Sequence, residues 1–279
     1  MPHVADEIAS QPECWRRAAA HDGMGKLPQP GERVAVVGCG TSWFMAMAYA
    51  ARREAAGHGE TDAFAASEFP RGRRYDRLLA ITRSGTTTEV LDLQPDTVIV
   101  GDIDSPAASA PHVIGLPWAD EKSVVQTRFA TSALALLRAS LGEDLSGAIE
   151  DARRALELPI DSDIEQITFV GRDWTVGLAH EAALKCREAA SFWAESYPAM
   201  DYRHGPIAIA APGRAVWAFG EVPPGLPDEV ARTGAAFLHD DLDPMASLVA
   251  AQRLAVAIAA RRGLDPDNPR HLTRSVILP

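Results

Sequence analysis

A chain of 279 residues with 47% hydrophobic content is long enough for one large or two ordinary domains with real cores, which excludes a disordered or fibrous protein. Its 27 basic against 38 acidic residues leave a formal charge of −11, which argues against a nucleic-acid backbone or an anionic membrane surface as partner. Cys14, Cys39 and Cys186 form no CxxC and are odd in number, and no signal-like or membrane-length apolar run is visible, so a cytoplasmic protein is expected.

In chain order, Arg33 to Gly38 (RVAVVG) reads as a continuous apolar strand, and Thr41 to Glu54 as a helix with Phe44, Ala48 and Ala51 on one face. Strands are expected at Leu78 to Thr82, Thr97 to Gly101 and His112 to Leu116, then a helix from about Ser123 to Ser140. Only EVLDLQPD separates two of these strands, which leaves room for a stub where a parallel crossover needs a helix. Gly142 to Asp163 is charged and Pro-interrupted and reads as a boundary. The pattern then restarts with a strand at Ile167 to Gly171, a helix from about Val176 to Tyr197, a strand at Ala215 to Gly220 and a helix from about Pro244 to Arg262. Apolar strands alternating with helices imply an α/β fold of two tandem doubly wound, flavodoxin-like parallel-sheet lobes, residues 31–145 and 146–262.

Two loops stand where such sheets bind ligands. GCGTSW (Gly38, Gly40, Thr41, Ser42) follows the first strand, and Thr82, Arg83, Ser84, Gly85, Thr86, Thr87 and Thr88 follow another. Hydroxyls and free N–H groups at strand ends suit an anion, although Ser and Thr also simply cap helices. GxxxxGK[ST] is absent and Trp43 replaces the third glycine of GxGxxG, so a single phosphate monoester fits better than a nucleotide. The second half offers no such loop, so one phosphate site per chain is expected. Scattered histidines without HExxH point to no metal site, and nothing calls for a cofactor. Glu181, Lys185 and Glu188 fall at i, i+4 and i+7, which a solvated, ion-paired helix face explains as well as catalysis does.

GCGTSW, TRSGTTTEV, EAALKCREAASFWAESYPAMDYRHGP, DPDNPRHLTRSV and the early EIASQP together resemble the sugar isomerase (SIS) family over nearly the whole chain. They are most similar to the double-SIS isomerase half of glucosamine-6-phosphate synthase and its stand-alone deaminase and isomerase relatives. The resemblance implies a helical lead-in over residues 1–30 and a tail, 263–279, that closes on the site. It implies a sugar phosphate held between the lobes of a homodimer. Ser42, Thr82, Ser84 and Thr87 would hold the phosphate with Arg83 nearby, beside Gly40 and Thr41. Glu188 would shuttle a proton between C1 and C2, Lys185 would keep it ionised, and His204 of a neighbouring subunit would open the ring. Glu121 would lie near the sugar hydroxyls with Thr127 behind it. Arg274 stands where the synthase has a catalytic Lys, and a guanidinium forms no Schiff base. With no glutaminase segment in the sequence, glutamine-driven synthesis is not expected. The implied activity is isomerisation or deamination of a hexose or hexosamine 6-phosphate; the alternative is a non-catalytic phosphosugar-binding regulator.

Overall fold

Residues 2–278 are described by a computed structural model. Two short helices, α1 (His3–Ala9) and α2 (Gln11–Ala19), precede strand β1 (Val34–Gly38), whose residues are all buried. Helix α3 (Thr41–Ala55), β2 (Thr61–Ala65), β3 (Arg77–Thr82), the single turn α4 (Thr88–Leu91), β4 (Thr97–Val100), β5 (His112–Gly115) and α5 (Arg128–Ser140) follow. Their strands form one parallel sheet in the order β2-β1-β3-β4-β5. After α6 (Ser146–Glu157) come β6 (Gln166–Gly171), α7 (Thr175–Ala190), β7 (Ala194–Pro198), β8 (Arg214–Phe219), α8 (Leu226–Ala231), β9 (Ala236–Leu238) and α9 (Pro244–Arg261). Their sheet, β7-β6-β8-β9, is also parallel and repeats the first winding without its last strand. Both sheets reverse direction beside their first strand, which opens a crevice at the carboxyl ends of β1 and β3.

The doubly wound α/β reading therefore holds, and several local expectations are corrected. The helix expected to run to Tyr197 stops at Ala190, because Ser191 adopts a left-handed conformation (φ 47°, ψ 40°) and ends it. The residues beyond pair in parallel with β6, Ala194 opposite Ile167 and Pro198 opposite Gly171. The helix expected from Ser123 starts at Arg128, since the preceding backbone is held elsewhere: Lys122 N–H donates to Glu7 (2.6 Å) and Val124 N–H to the Asp267 carbonyl (3.0 Å). The charged stretch read only as a boundary contains α6, which buries Ala148, Ile149, Ala152 and Ala155. Strands β2 and β9 were not foreseen. The stub between β3 and β4 is one helical turn, and the two strands are nevertheless parallel neighbours.

One buried apolar cluster draws on both sheets' helices, among them Met45 and Tyr49 of α3, Phe129 of α5, Ala182 of α7 and Leu248 of α9. Helices α3 and α7 meet backbone to backbone at Gly177, where an added Cβ would sit 2.4 Å from the Phe44 carbonyl oxygen. That close approach brings the start of α3, which carries the first hydroxyl loop, against the acidic stripe of α7.

Candidate functional site

The loop after β1 turns into α3 through Gly40 (φ 53°, ψ −123°), a conformation that a side chain resists, and this places Thr41 and Ser42 at the helix start. The loop after β3 folds on its own hydroxyls: Thr82 Oγ1 accepts from Gly85 N–H (3.2 Å) and Ser84 Oγ from Thr86 N–H (3.3 Å). Between these loops lies a small polar pocket lined by Cys39, Ser42, Thr82, Arg83, Ser84, Thr87, Gln126 and Arg274. All five residues expected around a phosphate thus converge there, and Arg274 joins them from a distant part of the chain.

Arg83 is not free to reach an anion. It is buried, and its terminal nitrogens donate to the carbonyls of Ser123 (3.0 Å), Val124 (2.9 Å) and Arg274 (3.3 Å). It also lies 3.6 Å from Glu121 Oε2, and burial draws its pKa below the usual arginine value. Glu121, expected near sugar hydroxyls, is itself fully buried. Its Oε1 accepts from Thr127 N–H (2.6 Å), Thr127 Oγ1 (2.8 Å) and Arg128 N–H (2.8 Å), so it caps α5. Its other oxygen meets no hydrogen-bond donor, and burial raises the carboxyl pKa against the pull of Arg83.

The stripe on α7 is not a solvated face. Glu181 and Lys185 are buried, and Glu188 is mostly covered. Lys185 Nζ donates to Thr41 Oγ1 (3.0 Å) and to Glu188 Oε2, and stands 3.5 Å from Glu181 Oε1. Burial alone would lower the lysine pKa, but Glu181 and Glu188 outweigh it and hold Lys185 above its ordinary value. Glu181 has no donor on either oxygen, and burial pushes its pKa up to about 8. Lys185 therefore links the two lobes: through Thr41 it touches the residue beside Ser42, and on its other side it pairs with Glu188. His204 is exposed at the end of a 3-10 turn, Asp201–His204, that follows β7.

The C-terminal segment crosses the second loop. Thr86 Oγ1 donates to Ser275 Oγ (2.9 Å), Thr88 N–H to the Val276 carbonyl (3.3 Å) and Leu278 N–H to Thr88 Oγ1 (2.9 Å). Arg274 donates to the Glu121 carbonyl and pairs with Asp120. Sequence reasoning missed Gln126 and Asp120; both lie in irregular backbone before α5, where no periodicity marks them. Glu181 carried a signal in its i, i+4 spacing to Lys185. Among the described residues no group of three or more His, Cys, Asp or Glu is placed to hold a metal ion. No helix among them is long and apolar enough to cross a membrane.

No family model matches the chain. Over 97% of its length it is 28% identical to a glutamine–fructose-6-phosphate aminotransferase (isomerizing) of Methanothermobacter thermautotrophicus, of which it covers 56%. A Gloeobacter violaceus protein of the same name is 35% identical over 39% of the chain and 22% of its own length. The chain thus spans about half the length of the curated relatives that it matches end to end. Among solved structures, glucosamine-6-phosphate deaminase from Thermotoga maritima superposes with a TM-score of 0.83 at 25% identity, covering 99% of this chain and 100% of that one. Tagatose-6-phosphate ketose/aldose isomerase from Escherichia coli gives 0.79 at 18% identity, covering 100% and 99%. Motifs, winding order and these likenesses agree: the chain is similar over nearly its whole length to the isomerizing aminotransferases and to the Thermotoga deaminase, and it shares the double-SIS fold of the phosphosugar isomerases.

Proposed function

We propose that this protein acts on a hexose or hexosamine 6-phosphate, moving a proton between C1 and C2 to interconvert aldose and ketose, with loss of ammonia where C2 carries an amine. The observation that supports it most is the Lys185 bridge, which joins a carboxylate, Glu188, to Thr41, the chain neighbour of the pocket hydroxyl Ser42. The phosphate rests on Ser42, Thr82, Ser84 and Thr87. Glu188 takes the proton from C2 of the open-chain aldose, the enediol or enolamine forms, and the proton returns to C1; where C2 carries an amine, the resulting C2 imine adds water and expels ammonia to give the ketose. Lys185, bonded to Glu188, steadies the carboxylate charge that returns after the transfer. His204 of a partner subunit accepts the anomeric hydroxyl proton and returns it to the ring oxygen. Arg274 cannot form an imine, so imine chemistry through that residue is excluded. The names of the similar proteins, an isomerizing aminotransferase, a deaminase and a ketose/aldose isomerase, support the same chemistry.

Proton NMR in D2O with glucosamine, glucose, fructose, galactose and tagatose 6-phosphates, with and without ammonia, tests it. Deuterium should enter C1 or C2 of one of them, and Glu188→Gln should reduce the rate by about a hundredfold or more. Shifted ligand resonances with no exchange for any sugar would favour a phosphosugar-binding regulator over an enzyme.

A further inference from the structure

The phosphate pocket contains two guanidinium groups, and only one of them is available. Arg83 belongs to the hydroxyl loop but is 2% exposed, and its terminal nitrogens are committed to three carbonyls. Withdrawing it would strand those carbonyls and leave Glu121 without its cation. The other lining groups, Ser42, Thr82, Ser84, Thr87 and Gln126, are neutral. Arg274 lines the same pocket with its side chain 36% exposed; one terminal nitrogen donates to the Glu121 carbonyl, and the other pairs with Asp120, itself 31% exposed, so only the Asp120 side of the guanidinium is exchangeable. A part-exposed ion pair is weak and exchangeable. The backbone beneath Arg274 is fixed independently of that pair, because its carbonyl accepts from Arg83 and the next residue, Ser275, bonds Thr86.

Resting on the reading of this pocket as a phosphate site, we propose that Arg274 is its cation and that Asp120 is a resident carboxylate that the phosphate displaces. The ligand group is a phosphate monoester dianion, which the guanidinium binds from its Asp120 side while the loop hydroxyls bind the remaining oxygens. In this chain the tail position therefore serves anion recognition.

The test is calorimetric titration of the full chain with inorganic phosphate, glucose 6-phosphate and glucose, using the wild type, Arg274→Ala, Arg274→Lys, Asp120→Asn and Ser84→Ala. Loss of a charge-assisted bond predicts that Arg274→Ala weakens both phosphates by about tenfold or more, with Arg274→Lys intermediate. Asp120→Asn removes the competitor and tightens both several-fold, a gain that a merely structural pair would not produce. Far-UV circular dichroism checks that each variant is folded. If Ser84→Ala weakens phosphate while Arg274→Ala stays within twofold of wild type, the role of Arg274 is overturned and the phosphate pocket stands. If Asp120→Asn binds no tighter, the displacement is overturned. If the wild type binds neither phosphate nor ester, the phosphate reading falls and this inference with it.

Discussion

Glu181 shows how far burial alone can shift a side chain's chemistry. Its carboxyl lies in the lobe interface with its pKa near 8 against an ordinary 4.5, because burial penalises the anion more than Lys185 rewards it. The folded state then holds a proton that the unfolded chain has released. Stability from this group is full below about pH 4.5 and is lost as pH rises toward 8. Glu181→Gln keeps the shape and removes the titration. Melting temperatures recorded from pH 5 to 8.5 should fall more steeply for the wild type than for the variant, and parallel curves would show that Glu181 stays ionised. The same spacing that made Glu181, Lys185 and Glu188 legible as a stripe could not say whether water or another helix covered it; the cover is α3, 144 residues away from Lys185 at Thr41.

At the scale of the element, the contact between α3 and α7 sets the distance from the hydroxyl loop to the carboxylates. Gly177→Ala would press a methyl group against the Phe44 carbonyl and the Ala48 amide, at 2.4 and 3.0 Å before relaxation. Backbone cannot yield there as a flexible side chain can, so about 2 kcal/mol or more of stability should be lost. The shift also draws Thr41 from Lys185, so turnover should fall in the fraction that remains folded. Gly147 in the first turn of α6 has nothing within 4 Å of an added Cβ. Gly147→Ala should therefore stabilise by about 0.5–1 kcal/mol, and chemical denaturation of the two variants side by side checks both signs. Equal effects would mean that helix propensity, not the interhelical contact, governs Gly177.

For the whole molecule, the proposed chemistry needs two histories of the same chain to meet. His204 is exposed on its own chain, while Glu188 is covered and paired at the lobe interface. If His204 serves the partner subunit, Glu188→Gln and His204→Asn are each inactive alone. Mixed after brief unfolding or by co-expression, they form heterodimers with one intact site of two, so about a quarter of wild-type turnover should return. No recovery from a mixture shown to contain heterodimer would place both residues in one chain's site.

The sequence by itself determined what depends on neighbours along the chain. Apolar runs marked β1, β3, β4 and β6, hydroxyl-rich loops marked the strand ends, and their order implied two wound lobes. Such features follow from local burial and backbone propensity, which near residues report directly. The tertiary structure decided what depends on distant segments. Residues 194–198, which continue a helical composition, became β7 because β6 offered an open edge. Arg83 lines the pocket with its terminal nitrogens already committed because the chain before α5 presented carbonyls, and Arg274 entered the pocket because Ser275 was tied to Thr86. Glu121 and Glu181 became buried acids for the same reason: desolvation depends on everything packed around a carboxylate, and those neighbours are assembled only by the fold.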